Sequence, residues 1–426
     1  MNRSRRRTVA SETQTMKRPT GLLALVVLVA LLALIAGCDS GGGSGSTVTH
    51  DDRLPSDDDV SPGTDDDGSP GDDDDDDNDD NDDDDDDNDD DNDDDDDNDD
   101  DNDNDNDNDN DNDNDNDSAL SWSAMTLPNN LSALQGVWGT SGSDVFVVGS
   151  YFGGGVILHY NGTTWSETAA PSDVYWLYGV WGSSGSDVFA VGTQFQSSNA
   201  ILHYDGATWS EMTAPGDKMG LSAVWGSSGS DVFAVSGDGY EVGSPILHYN
   251  GLVWLEMTAP SDVWYMESIW GSSGSDVFAA GGNTSNVSII LHYDGSTWSE
   301  MTIPSDLSDI QGLWGISGSD VFAGGWPPAV ILHYNGSSWS EMTEPSDPPG
   351  LYAVWGTSGS DVFAVGVNAS DVVEILHYDG ATWSVMATPG GVAILWGIWG
   401  SSGSDVFAVG QTTPNGPYGV ILHYGR

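Results

Sequence analysis

The block W-G-x-S-G-S-D-V-F recurs seven times, with its leading Trp at 138, 181, 225, 270, 314, 355 and 399. No other feature restricts the fold as tightly. Copies at a fixed period are single supersecondary units, each burying its apolar face against the next copy. A second block, I-L-H-Y, keeps pace, placing His at 159, 203, 248, 292, 333, 377 and 423. A third, W-S-E-M-T-x-P with small variations, has Trp at 165, 209, 254, 298, 339 and 383. That is one copy short, and the missing copy stands ahead of everything else, at Trp122–Pro128.

Each repeat reads as four short strands: L-x-G-V-W-G, D-V-F-A-V-G, I-L-H-Y and T-W-S-E-M-T. They are rich in β-branched and aromatic residues and are separated by Gly, Ser and Asp turns. Between the third and fourth strands stands Asn-Gly or Asp-Gly, a pair that tolerates positive φ and marks a tight hairpin. Four-stranded units at this period make an all-β, seven-bladed β-propeller. One leading strand, six full sets and three final strands fill seven blades of four. The segment at Trp122 is then expected to complete the last blade and to pin the two ends of the domain together.

The chain ahead of residue 118 cannot join this fold. All 41 aromatic residues lie after residue 117, and outside an apolar run over 21–37 the segment ahead of it has almost no apolar side chains from which to build a core. The net charge of −61 divides accordingly: +5 over residues 1–37, −41 over 38–117 and −25 over 118–426. In the first part, Arg3, Arg5, Arg6, Arg7, Lys17 and Arg18 precede an uncharged apolar run over 21–37, which ends in Leu34-Ile35-Ala36-Gly37-Cys38. This ending resembles the lipobox of bacterial lipoproteins. The resemblance implies a signal peptide over 1–37, lipidation of Cys38 after cleavage, and attachment to the bilayer in the bacterial cell envelope, at the outer membrane or cell surface. A start at Met16 would give a shorter signal of the same kind. Residues 39–71 have linker composition, and 72–117 are only Asp and Asn. Like charges along such a tract repel and extend it, so 38–117 is expected to be a disordered acidic stalk, at most about 260 Å long when fully stretched. It lacks the Gly and apolar residues of specific calcium loops and is expected to associate with Ca2+ only diffusely.

Within the repeat, Gly281-Gly282 after an apolar strand, then Tyr293, then Trp298, resemble the pattern of kelch-type and galactose-oxidase-like propellers. The likeness is looser in most blades, which have one Gly where that pattern has two. It implies the same propeller fold.

Counting separates framework from function. Four aromatics per blade belong to the repeated blocks, and 13 lie outside them. All 13 fall between the second and third strands, or in the segment that joins the outer strand to the next blade and enters its first strand. Up-and-down connectivity puts both segments on one face, which also carries all the variation in length. Loops on a rigid scaffold are where binding resides, and Trp and Tyr offer flat surfaces to sugars and proteins. The sharpest signal is the position three residues before W-G. It reads Gln135, Tyr178, Ser222, Glu267, Gln311, Tyr352 and Trp396, while its neighbours scarcely change. These residues other than Ser222, together with Trp176, Trp264, Tyr265 and Trp326, are the candidate ligand-binding set.

Other chemistry is argued against. The seven His sit far from the axis and cannot converge on one ion; a structural bond within each blade, to the Asp of D-V-F, is expected instead, with no metal site and no cofactor. That Asp is read as capping a turn. Lys218 and Arg426 are the only cations after residue 117, which argues against nucleic acid and phosphate as ligands. The expected role is non-catalytic recognition of a protein or glycan by a monomeric propeller. The alternative is a carbohydrate-active enzyme, which needs only two carboxylates; Asp238, Glu241, Glu267 and Asp309 are off-pattern or on the variable face.

Overall fold

The computed structural model describes residues 119–426, apart from 129–130, 152–153, 169, 172, 196–197, 216–219, 238–245, 305–308, 326–329, 344, 346–349, 369 and 414–418. The expected signal, Cys38 and the acidic stalk lie outside the described residues, as do Trp326, Asp238 and Glu241. Among the described residues, twenty-eight strands form seven antiparallel four-stranded sheets. In blade 1 the strands are Leu131–Ser141, Asp144–Tyr151, Gly154–Tyr160 and Trp165–Thr168, from the inside outward. The last blade is built from Val392–Ser402, Asp405–Thr412 and Gly419–Gly425, and its outer strand is Ser121–Ala124 from the other end of the domain. Trp122 stands opposite Tyr424 and Ser123 opposite His423. The seven-bladed propeller and its closure by the leading strand are thus as the repeat arithmetic requires.

The cores lie between blades. Phe146, 1% exposed, meets Tyr204 and Trp209 of blade 2 at centroid distances of 5.8 and 6.3 Å. The same arrangement carries Phe189 onto Tyr249 and Trp254, and so on around the ring. Each second strand is covered on both sides, which is why D-V-F-A-V-G is a continuous apolar run rather than an alternating one.

The repeated polar residues tie this together. His159 Nε2 lies 2.6 Å from Asp144 Oδ1, and Thr140 donates its hydroxyl to Asp144 Oδ2 at 2.6 Å. The His–Asp pair recurs in every blade at 2.6 to 2.7 Å, the structural bond expected from the sequence. The Asp serves more than its own turn. The carboxylate of Asp187 reaches into the S-G-S turn of blade 3, where a Cβ on Gly229 would stand 1.8 Å from its oxygen. The W-G Trp does likewise: a Cβ on Gly182 would meet the Trp138 ring at 2.7 Å. Both glycines are demanded by close approach between blades, so W-G-x-S-G-S-D is the sequence of an inter-blade joint.

The outer strands are linked in the same sense. Trp165 Nε1 donates to Met125 Sδ at 3.4 Å, and Trp254 to Met212 at 3.5 Å. Blade 1 has Thr168 where the other outer strands of this type carry Met, and Trp209 Nε1 beyond it is buried without a hydrogen bond.

Candidate functional site

Strand direction sorts the connections onto two faces. One carries the S-G-S turns and the Asn-Gly or Asp-Gly hairpins. The other carries the second-to-third and blade-to-blade connections, and it is built around an irregularity in every innermost strand. In blade 1, Leu134 pairs with Gly149 and Gly136 with Val148, so the ladder skips Gln135. The same skip falls at Tyr178, Ser222, Glu267, Gln311, Tyr352 and Trp396. The variable position of the repeat is therefore the extra residue of a β-bulge, seven times over. A bulge bends its strand and re-aims one side chain out of the ladder.

The residue after each bulge is small: Gly136, Gly179, Ala223, Ser268, Gly312, Ala353 and Gly397. The inner strands of adjacent blades meet there. A Cβ on Gly136 would stand 2.7 Å from the Tyr178 carbonyl, and one on Gly397 would stand 2.5 Å from that of Gln135, which closes the circle between blades 7 and 1. The seven variable residues thus follow one another around the innermost ring, each half-buried.

The ring is chemically divided. Across blades 4 to 6 it gathers polar groups on Asp309. Gln311 Nε2 donates to Asp309 Oδ2 at 2.8 Å, and Tyr265 OH to Asp309 Oδ1 at 3.3 Å. Burial raises the Asp309 carboxyl above the usual carboxylate range, against these two donors, which pull it down. Burial, with the Asp309 and Glu267 carboxylates nearby, carries the Tyr265 phenol far up. Burial, Asp309 and Asp371 push Tyr352 up to about 12. Glu267 also reaches toward blade 3, where a Cβ on Gly237 would stand 3.1 Å from its carboxylate. Ser222 is structural, giving its hydroxyl to the Met266 carbonyl at 2.6 Å.

Blade 2 is aromatic instead. Tyr175 stacks on Trp176 at 5.4 Å, Trp176 meets Tyr178 edge-on at 6.0 Å, and Phe195 leans on Tyr175 at 5.1 Å. Trp264 contacts Tyr265 at 6.2 Å and so borders the Asp309 group. Tyr352 and Trp396 pack on the core between blades 6 and 7.

Two points depart from the sequence reading. The spare aromatics are read as flat surfaces offered to a ligand, but among those described only Tyr151 (40%) and Phe195 (51%) are exposed; the rest lie half-buried. The centre of the polar group, Asp309, is also outside the candidate set. Its position, two residues before the bulge, is a second variable column, reading Ala133, Trp176, Gly220, Tyr265, Asp309, Gly350 and Ile394. That column would have found it.

Two grooves open elsewhere, between outer strands. One of about 590 Å³ is lined by Leu255, Met257, Pro260, Tyr293 and Trp298, and one of about 300 Å³ by Met301, Pro304, Tyr334 and Trp339. Neither includes a bulge residue. Among the described residues, no three His, Cys, Asp or Glu are grouped to hold a metal ion.

No family model and no curated protein matches the chain. Solved structures do. A YCF48 structure bound to D1 peptide is 16% identical, covering 72% of this chain and 97% of its own, at a TM-score of 0.53. A catalytically inactive virginiamycin B lyase from Staphylococcus aureus, with quinupristin, is 14% identical over 72% and 99%, at 0.60. The WD40 propeller domain of Doa1 is 12% identical over 72% and 97%, at 0.53. At these identities the likeness is one of fold.

Proposed function

We propose that the propeller is a non-catalytic recognition module that binds a protein or carbohydrate partner through the bulge ring and the connections above it. One observation carries this: sequence variation around an otherwise uniform repeat is concentrated on residues that seven bulges turn out of the ladder on a single face. Bulges re-aim side chains beside functional sites, and variable residues on a rigid scaffold are how propellers of one fold take different ligands. YCF48 with its D1 peptide is a precedent for a peptide ligand on this fold. With two cations in the domain and carboxylates on the ring, a partner offering neutral or cationic groups suits the face better than an anionic one.

In this reading, residues 1–37 direct export, Cys38 carries the lipid, and 38–117 hold the propeller away from the bacterial membrane at the outer membrane or cell surface. The kelch-like pattern is part of the same proposal, as kinship of repeat. Replacing Cys38 by Ser is expected to move the protein from the membrane to the soluble fraction; continued membrane association would remove the anchor. Glycan and peptide arrays test recognition: binding should survive Glu267→Gln and fail with Trp396→Ala.

A second reading has one observation in its favour. Asp309 is a half-buried carboxyl raised by burial, with the Tyr265 phenol beside it and Glu267 close to that phenol, and such perturbed groups serve as general acids. A carbohydrate-active enzyme would release product from a glycan library and lose that activity with Asp309→Asn; the recognition module releases none.

A further inference from the structure

The hairpins between third and fourth strands alternate around the ring: Asn161, Asp205, Asn250, Asp294, Asn335, Asp379. All six side chains do the same work. Asn161 Oδ1 accepts the Thr163 and Thr164 amides at 3.0 and 2.9 Å, and Asp205 Oδ1 accepts those of Ala207 and Thr208 at 2.9 and 2.8 Å. Asn250 and Asn335 repeat the first pattern, and Asp294 and Asp379 the second. In each case the next residue is Gly at positive φ, 85° to 89°.

We propose that the three Asn-Gly hairpins are self-modifying sites, at which Asn161, Asn250 and Asn335 deamidate to aspartate within the folded protein. Three features of the turn converge on this. The Asn side chains are exposed. Among the described residues, the amide nitrogens of Gly162, Gly251 and Gly336 find no hydrogen-bond partner, so the nucleophile is untied. The two amides on Oδ1 stand where negative charge develops when that nitrogen attacks Cγ, the placement of an oxyanion hole.

The chemistry needs only water. The Gly nitrogen gives up its proton and bonds to Cγ, with the charge held on Oδ1. The Cγ–Nδ2 bond then breaks, and ammonia leaves with the proton. Water opens the resulting five-membered imide. Opening at the Cγ–N bond leaves Asp; opening at the main-chain carbonyl leaves isoaspartate, with an extra carbon in the backbone. The fold distinguishes the two. Asp in this turn is already present in blades 2, 4 and 6 with the same two hydrogen bonds. Isoaspartate would displace the hairpin closed by Asn161 N to Thr164 O at 3.3 Å and the strand pairing behind it. The modified face would carry carboxylates at all six hairpins.

The test is peptide mass spectrometry of the full-length native protein, incubated in water labelled with heavy oxygen, beside a denatured sample. The expected result is label and loss of the amide at Asn161, Asn250 and Asn335, with α-linked Asp predominating in the native sample and isoaspartate in the denatured one. Asn199, Asn286 and Asn368, which precede Ala, Val and Ala, should stay intact. Persistence of the three amides in the native protein while the denatured one reacts would overturn the proposal. So would isoaspartate as the main native product. The chain with all three Asn replaced by Asp should unfold at or slightly above the wild-type temperature at neutral pH, since the same two amides hold the carboxylates of Asp205, Asp294 and Asp379 low; a clear loss of stability would show that the turns do not accept the product.

Discussion

The two faces of the propeller obey opposite rules. On the face of the S-G-S turns, each residue is fixed by a neighbour in the next blade: Asp187 against Gly229, Trp138 against Gly182. Substitution there damages the joint, and the repeat is nearly uniform. On the bulge face, the ladder releases one side chain per blade, and the joint is made by the small residue that follows it. The side chain there varies among Gln, Tyr, Ser, Glu and Trp. The lesson is that variability on this scaffold marks release from the strand ladder, and a bulge creates that release inside a strand.

This contrast can be broken at several points. The largest effect belongs to the framework. Phe233, fully buried against Trp225, His248 and Tyr293, should cost about 3 to 5 kcal/mol when replaced by Ala, read by denaturant unfolding, while the molecules that remain folded keep their ligand. Next is Trp396→Ala, which should cost about 2 kcal/mol or more of binding and, since the ring is only half-buried, about 1 kcal/mol of stability. A loss of stability as large as that of Phe233 would put Trp396 in the framework.

A smaller effect separates the carboxylates by the sign of their pH dependence. Asp309 is raised by burial, so its ionisation disfavours the folded state. The associated stability is present below the unfolded pKa and is lost as pH rises through the folded one. Asp309→Asn should therefore melt above wild type at neutral pH, and the gap should close on acidification. The smallest effect has the opposite sign. Asp205, Asp294 and Asp379 are lowered, first by the backbone amides they accept. Their contribution is present above the unfolded pKa and fades as pH falls through the folded one. The triple Asn variant should match wild type in strong acid and fall slightly below it at neutral pH, by thermal melting.

The architecture was legible because period, hairpin signals and the displaced W-S-A-M-T segment all point to one closed ring. The site was legible only in part. In Val174–Ser184, whose ladder shifts register at three points, the first two shifts leave every third residue buried from Val174 through Leu177 to Val180. That spacing does not announce a strand, and it hides the bulge that makes Tyr178 special. Variation flagged the bulge residues without a reason for it. Asp309 is read from the sequence only as an off-pattern carboxylate and not as a binding residue, because its column changes residue type completely from blade to blade, while its importance comes from Gln311 on the same strand and Tyr265 one blade away. Two departures remain on the uniform face: Ile316, 50% exposed, where the other blades carry Ser or Thr, and Leu252, 84% exposed, with Val253 and Leu255 beside it, where the other hairpins carry Ala, Ser or Thr.

The separation of faces is tested most directly by probing glycan and peptide arrays with three proteins: wild type, the Tyr178→Ala/Tyr352→Ala/Trp396→Ala chain, and a Leu252→Thr/Val253→Thr chain altered on the opposite face. The bulge variant should keep a cooperative unfolding transition and lose the wild-type ligands, while the hairpin variant keeps them. Ligands retained by the bulge variant, or lost only with the hairpin variant, would contradict the account.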